Sequence, residues 1–218
     1  MTDQIYIFPT DTVWGIGGSL RSRVAQKRIE AIKHITQQRP YALIFAQLHD
    51  LAAWMTPASP LYARNELVRW ADILAAHTTL LFPRAWLKDD AQIAAPGGSH
   101  IGVRWQPNEA IKKIWQIEHQ PIISTSLNLS GQTPIIREGD ARVFAQQFAP
   151  DAQFFNAPIA GQTQASTILR IDQVTTSTMT SSSSSSSSSS LQLEILRGQI
   201  DGHLGQILAS MGLNVDGN

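Results

Sequence analysis

Short apolar runs separated by amphipathic stretches are what most constrain this chain. Ile5 to Phe8 is such a run, rich in β-formers and stopped by Pro9. Ala42 to Phe45, Thr78 to Phe82, Ile101 to Trp105 and Ile122 to Ser126 follow, and Ser166 to Ile171 and Leu191 to Leu196 close the series. Each has the length of a buried strand rather than of a helix. The stretches between them carry helical spacing. Arg21 to Ile35 places Val24, Ile29, Ile32 and Ile35 between charges, the pattern of an amphipathic helix. Leu48 to Met55, Leu61 to Ala76, Asn108 to Ile117 and Ala141 to Phe148 read as further helices. Strands alternating with helices predict an α/β sheet covered by helices.

Length and composition narrow the classes. The 218 residues suit one large domain or a domain with a small appendage, and 43% hydrophobic residues are enough for a core. Without cysteine there are no disulfides, thiolate zinc sites or cysteine nucleophiles. The six histidines have no metal-ligand spacing, so no protein metal site is predicted. Seventeen basic and seventeen acidic residues cancel, which argues against tight nonspecific binding of nucleic acid. Arg21, Arg23, Lys27, Arg28 and Lys33 form a local basic row, read first as a solvated helix face. No signal peptide and no membrane-length apolar run is visible, so a cytoplasmic protein with no membrane contact is expected.

Two segments carry candidate chemistry. In Phe8 to Gly18 (FPTDTVWGIGG) a strand stops at proline and hydroxyls and glycines follow. This reads equally as a ligand loop or a plain turn, and the dinucleotide fingerprint fails for want of a third glycine. In Ile122 to Gly131 (IISTSLNLSG) a buried strand runs into hydroxyls, an amide and a glycine, with no lysine after the glycine. Such donors at a strand end hold phosphate or carboxylate in α/β sheets, and they also cap helices. Ser181 to Ser190 is a homopolymer with no apolar surface. Residues 175–190 are therefore expected to form a flexible hairpin loop, within a domain over 1–200 followed by a tail over 201–218.

Together the two segments resemble a known family. PTDTVWGIGG is similar to the PTETVYGLG element of the YrdC-like family, and STSLNLSG to its STSANxSG element. Gln38-Arg39-Pro40, Thr78 to Phe82, Ile101 to Arg104, Ala165 to Ile168 and Glu194 to Gly198 resemble further family elements, in the family's order, over residues 4 to 200. The length resembles the family's short form. The resemblance implies a twisted mixed sheet, parallel and antiparallel, with flanking helices around a concave ligand cavity. It implies a threonylcarbamoyl-AMP synthase: L-threonine, bicarbonate and ATP give threonylcarbamoyl-adenylate and pyrophosphate, and a downstream tRNA-modifying transferase complex uses the adenylate.

That chemistry needs positioning and charge on phosphate oxygens rather than a covalent intermediate. Arg39 and Lys33 are then the catalytic candidates. Thr10, Thr12, Arg104, Ser124 and Ser166 would face threonine. Arg39, Thr79, Ser126, Asn128, Ser130 and Arg197 would face ATP, with Mg2+ accompanying its phosphates. One departure stands out: the family's lysine two residues before its arginine is here Gln37, and Lys33 is the nearest lysine. The same resemblance therefore leaves two alternatives open. One is a noncatalytic module bound to double-stranded RNA or the ribosome, with weak RNA contact. The other is a sensor that binds nucleotide without chemistry.

Overall fold

The structure is a computed structural model that describes residues 2–35, 39–157, 164–179, 185–213 and 215–216. Among the described residues ten strands form one sheet: β1 Ile5–Pro9, β2 Trp14–Ser19, β3 Ala42–Phe45, β4 Thr78–Pro83, β5 His100–Trp105, β6 Ile122–Ser126, β7 Gln153–Phe154, β8 Thr167–Met179, β9 Ser185–Arg197 and β10 Val215–Asp216. Their order across the sheet is β10-β9-β8-β4-β5-β3-β6-β2-β1-β7. The pairs β3/β5 and β4/β8 are parallel, whereas β4/β5, β3/β6, β2/β6 and β1/β2 are antiparallel, so the sheet is mixed. The helices are α1 Arg23–Ile32, α2 Leu48–Trp54, α3 Arg64–Arg69, α4 Ala71–Ala75, α5 Glu109–Glu118, α6 Glu138–Phe148 and α7 Gly202–Ser210.

Strand alternation sends successive side chains to opposite faces, and directly paired residues share a face. On one face Ile7, Ile16, Leu43, Leu80, Val103, Ile123 and Leu169 form the main core. Ile29 of α1, Leu51 of α2, Ile73 and Leu74 of α4, Phe144 of α6 and Leu204 of α7 cover it. On the other face Tyr6, Phe8, Ile44 and Ile122 pack under Ala110, Ile111 and Ile114 of α5. That single helix covers only part of its face. Beyond it the same face carries Gly15, Ser124, Ala42 and Gly102, which leave space.

The structure departs from the sequence reading in definite places. Residues 14–19 form a strand where a loop or turn was expected. The glycines there answer to packing: a Cβ on Gly17 would lie 2.3 Å from the Ile123 carbonyl oxygen, and one on Gly15 would lie 2.8 Å from the Phe8 ring. The helix expected to reach Ile35 ends at Ile32, and His34 takes a left-handed φ of 54°. The long helix expected over Leu61 to Ala76 is two short ones broken at Trp70. The flexible loop expected over 175–190 is corrected in part. Strands β8 and β9 pair out to Met179↔Ser185, so 175–179 and 185–190 are strand. A ladder needs backbone N–H and C=O groups, which a serine run supplies without any apolar side chain. Residues 180–184 lie outside the described residues, as do Gln37 and Gln38. The tail after Ile200 packs back: Leu204 and Leu208 of α7 are buried in the main core, and β10 extends the sheet beside β9.

Candidate functional site

The small residues beyond α5 floor a cavity of about 310 Å³. Its floor includes Gly15, Ala42, Gly102 and Ser124, and Arg104, Thr79, Ser166 and Arg197 rise around it. A smaller cavity of about 120 Å³ adjoins it, bounded by Lys33, Arg39, Asn128, Ser130 and Gly131. Pro40, Tyr41, Thr125 and Ser126 line both. The two hollows thus meet across the end of β6.

The larger hollow is organised around Arg104, which β5 delivers on the open face. Its side chain is almost fully buried, and burial draws the guanidinium pKa down, opposed by Asp11 and reinforced by the nearby Arg197. Arg104 Nη2 donates to the Asp11 carboxylate and, at 3.2 Å, to Thr12 Oγ1. Its Nε is buried and finds no acceptor among the described residues. The second Asp11 oxygen lies 3.0 Å from His77 Nδ1, and the Asp11 backbone N–H donates to Gln106 Oε1 at 3.0 Å. Arg104 and the nearby Arg197 against the single Asp11 carboxylate leave a positive surplus, which suits an incoming carboxylate.

The turn carrying Asp11 is built from its own hydroxyls. Thr10 Oγ1 donates to the Val13 carbonyl at 2.7 Å and accepts the N–H groups of Thr12 and Val13, both at 3.2 Å. This is how a threonine fixes a local turn. On the far wall Thr79 Oγ1 and Ser166 Oγ are 2.8 Å apart, and Arg197 Nη2 donates to the Ser166 carbonyl at 3.1 Å.

The smaller hollow is organised around Lys33, at the end of α1 and almost fully buried. Its Nζ donates to the Ser126 carbonyl at 2.5 Å, the Asn128 carbonyl at 2.7 Å and Asn128 Oδ1 at 3.0 Å. An ammonium has three donors, and all three are used here. Burial first, and then the Arg39 charge, lower its pKa to about 8. Ser126 Oγ donates to Asn128 Oδ1 at 2.7 Å, and Asn128 Nδ2 donates to the Gln132 carbonyl at 2.7 Å. Ser130 N–H donates to the Lys33 carbonyl at 2.9 Å. Exposed Arg39 stands at the mouth.

The structure therefore gathers the residues singled out from sequence. Thr10, Thr79, Arg104, Ser124, Ser166 and Arg197 line the larger hollow, Lys33, Arg39, Asn128 and Ser130 the smaller, and Ser126 both. Thr12 lines neither; it is fully buried and holds Arg104 instead. Lys33 holds the loop rather than presenting a free donor. Sequence reasoning missed Asp11, His77 and Gln106. The acidic residue between two threonines was a signal for Asp11; nothing in the sequence marked the other two.

Comparison with known proteins places this geometry. The Sua5/YciO/YrdC family model, described as "Telomere recombination", matches residues 1–181. The chain belongs to that family. A threonylcarbamoyl-AMP synthase of Pseudoalteromonas translucida is 27% identical over 168 residues, covering 76% of this chain and 85% of the relative. Another, from Chromohalobacter salexigens, is 24% identical, covering 74% of this chain and 82% of the relative. The family fold is seen in P. abyssi Sua5 complexed with L-threonine, with a TM-score of 0.57 and 19% identity over 89% of this chain and 50% of that one. It is seen again in E. coli YciO, with a TM-score of 0.54 and 16% identity over 77% of each chain. The chain spans about half the length of the Sua5 structures it matches. No described helix is long and apolar enough to cross a membrane.

Proposed function

We propose that this Sua5/YciO/YrdC family member makes threonylcarbamoyl-AMP from L-threonine, bicarbonate and ATP. The observation that carries the reading is the pair of adjoining hollows, one lined by the guanidinium groups of Arg104 and Arg197 and the other by a hydroxyl and amide loop beside two cations. The named synthases among its relatives and the threonine held by P. abyssi Sua5 support it.

In this reading Arg104 takes the threonine carboxylate, with Thr10, Ser124 and Ser166 around it. The amine adds to bicarbonate and water leaves, giving a carbamate. A carbamate oxygen then attacks the α-phosphorus of ATP, the bond to the β-phosphate oxygen breaks, and pyrophosphate departs. Arg39, Arg197, Thr79 and the 126–130 loop hold the nucleotide, and the charge of Lys33 lies behind that loop. Nothing here requires a nucleophilic side chain; positioning and offset charge do the work. Among the described residues no group of three His, Asp or Glu could hold a metal, and Asp11 is engaged by Arg104 and His77. Magnesium would accordingly travel on the ATP phosphates, where it supplies charge neutralisation. The adenylate would pass to a tRNA-modifying transferase in the cytoplasm.

The test is pyrophosphate release from ATP. It should require both threonine and bicarbonate and should fall about a hundredfold in Arg39→Ala. A second reading, binding without turnover, is favoured by one observation: all three Lys33 donors are already used. Tight ATP and threonine binding with no threonine-dependent pyrophosphate would establish that reading and sink the first. Binding to double-stranded RNA in place of nucleotide would make the chain an RNA module.

A further inference from the structure

One polar side chain of the larger hollow has no part in the chemistry proposed above. His100 opens β5 and lines that hollow together with Gly102 and Arg104. The three alternate along one strand and share its open face. Both ring nitrogens of His100 have partners. Nε2 lies 2.9 Å from Asp172 Oδ1, and Nδ1 lies 2.9 Å from Ser99 Oγ. A carboxylate accepts hydrogen bonds, so the pair with Asp172 puts the proton of the neutral ring on Nε2. Nδ1 is left with its lone pair, and the Ser99 hydroxyl donates to it. Hydroxyl, imidazole and carboxylate in that order are a nucleophile, its base and the group that orients the base.

The fold holds each member in place. Strand β4 lies between β5 and β8. Pro83 pairs with His100, and Leu81 pairs with Arg170. Asp172, two residues beyond Arg170, therefore comes up on the same face. Its second oxygen lies 3.0 Å from Arg170 Nε, and Arg170 Nη2 pairs with Glu194. Ser99 is fixed through the backbone. The Arg84 N–H donates to the Ser99 carbonyl at 2.9 Å, and Arg84 Nη1 donates to the Ala95 and Gly98 carbonyls, both at 3.1 Å. The imidazole is only 16% exposed, whereas Ser99 is open to solvent and can be reached by an acyl group.

We propose that Ser99, His100 and Asp172 form a second catalytic site, an esterase for activated acyl esters. Ser99 Oγ attacks the ester carbonyl carbon while its proton passes to His100 Nδ1. Asp172 is a positioning residue that keeps the proton on Nε2 and offsets the imidazolium charge. The alcohol oxygen leaves with the proton from Nδ1, and the acyl group stays on Ser99. Water then attacks the acyl carbon and gives its proton to Nδ1, and Ser99 Oγ departs and takes that proton back. The products are the carboxylic acid and the alcohol. An exposed serine has solvent rather than a dry pocket around the developing oxyanion, so esters with a good leaving group suit it. This site stands independently of the reading of the family site.

p-Nitrophenyl acetate is the probe. Release of p-nitrophenol is followed with the full chain, and the acetylated residue is located by peptide mass spectrometry. The expected result is turnover with the acetyl group on the peptide that carries Ser99. The rate should fall about a hundredfold in Ser99→Ala, an exposed position where folding is not at stake, and equally in His100→Gln. In Asp172→Ala it should fall about tenfold and its pH profile should move to lower pH, because an imidazole without a neighbouring carboxylate is a weaker base. A merely structural role for Asp172 would leave the profile where it is. Release no faster than in buffer would overturn the proposal. So would turnover that persists in Ser99→Ala, which would assign the reaction to another side chain, or a pH profile unmoved in Asp172→Ala.

Discussion

The two hollows of the family site are both cationic, but their cations are in opposite conditions. Lys33 has every donor satisfied by backbone and side-chain oxygens of the 126–128 loop. Arg104 is equally buried, yet one of its nitrogens is unsatisfied. A satisfied buried cation fixes structure; an unsatisfied one waits for an anion. On the proposed function, the difference would give Lys33 the task of holding the 126–130 loop in shape and Arg104 that of gripping a ligand. Variants at the two positions should therefore fail in different ways.

The largest effect is expected from Lys33→Met. The variant keeps the aliphatic stem but takes the Lys33 donor from two carbonyls and leaves the Asn128 amide oxygen with Ser126 Oγ alone. Equilibrium unfolding in denaturant should show a loss of about 3 kcal/mol. A loss below about 1 kcal/mol would mean that the loop holds its shape unaided, and the contrast between the hollows would collapse.

Arg104→Ala comes next, and its effect should appear in binding. Threonine affinity should fall about a hundredfold by calorimetry, the scale for deleting a buried, charge-assisted contact. Removing the guanidinium also leaves Asp11 to repel the carboxylate. Nucleotide affinity should stay within about threefold, because the 126–130 loop keeps its own anchors. Equal losses for both ligands would show that the hollows are one site without division of labour.

The pH dependence separates the two cations again. Lys33 titrates near 8 in the folded chain against an ordinary 10.5, burial being the main cause. Between those values the unfolded chain binds more protons, so raising the pH favours the folded state. The stability gap between wild type and Lys33→Met should therefore widen by about 1 to 2 kcal/mol from pH 8 to pH 10. Below pH 8 it should be flat. Tyr6 and Tyr41, whose pKa values burial raises, are present in both chains, and their contribution drops out of the difference. A gap that is constant across this window would mean that Lys33 is not desolvated.

The sequence showed this site unevenly, for physical reasons. The serines, the amide and the arginines sit in chemically distinctive clusters at strand ends. Strand β2 was hidden because glycine is a poor strand former; its positions are set by the Phe8 ring and the Ile123 carbonyl, which are neighbours only in three dimensions. Thr12 was taken for a ligand contact because nothing local says that its hydroxyl is consumed by a residue 92 positions away. The serine run was read by its lack of apolar surface, whereas a ladder is a backbone property. His77 and Gln106 were unreadable because their partner, Asp11, lies 66 and 95 positions away in sequence.

His77 supplies the smallest and most specific test. Its ring holds the Asp11 oxygen that Arg104 does not, and its backbone is left-handed at a φ of 57°. Replacement by alanine would strain that backbone and confuse the result. Asparagine tolerates the left-handed region and is too short to reach Asp11, so His77→Asn isolates the hydrogen bond. With the imidazole gone, Asp11 is free to turn both oxygens toward Arg104 and draw the guanidinium away from an incoming carboxylate. Threonine affinity should then fall about threefold while thermal stability stays near that of the wild type. An unchanged threonine affinity would show that Gln106, through the Asp11 backbone, suffices to hold the carboxylate in place. Asp11 would then hold Arg104 without help from the His77 ring.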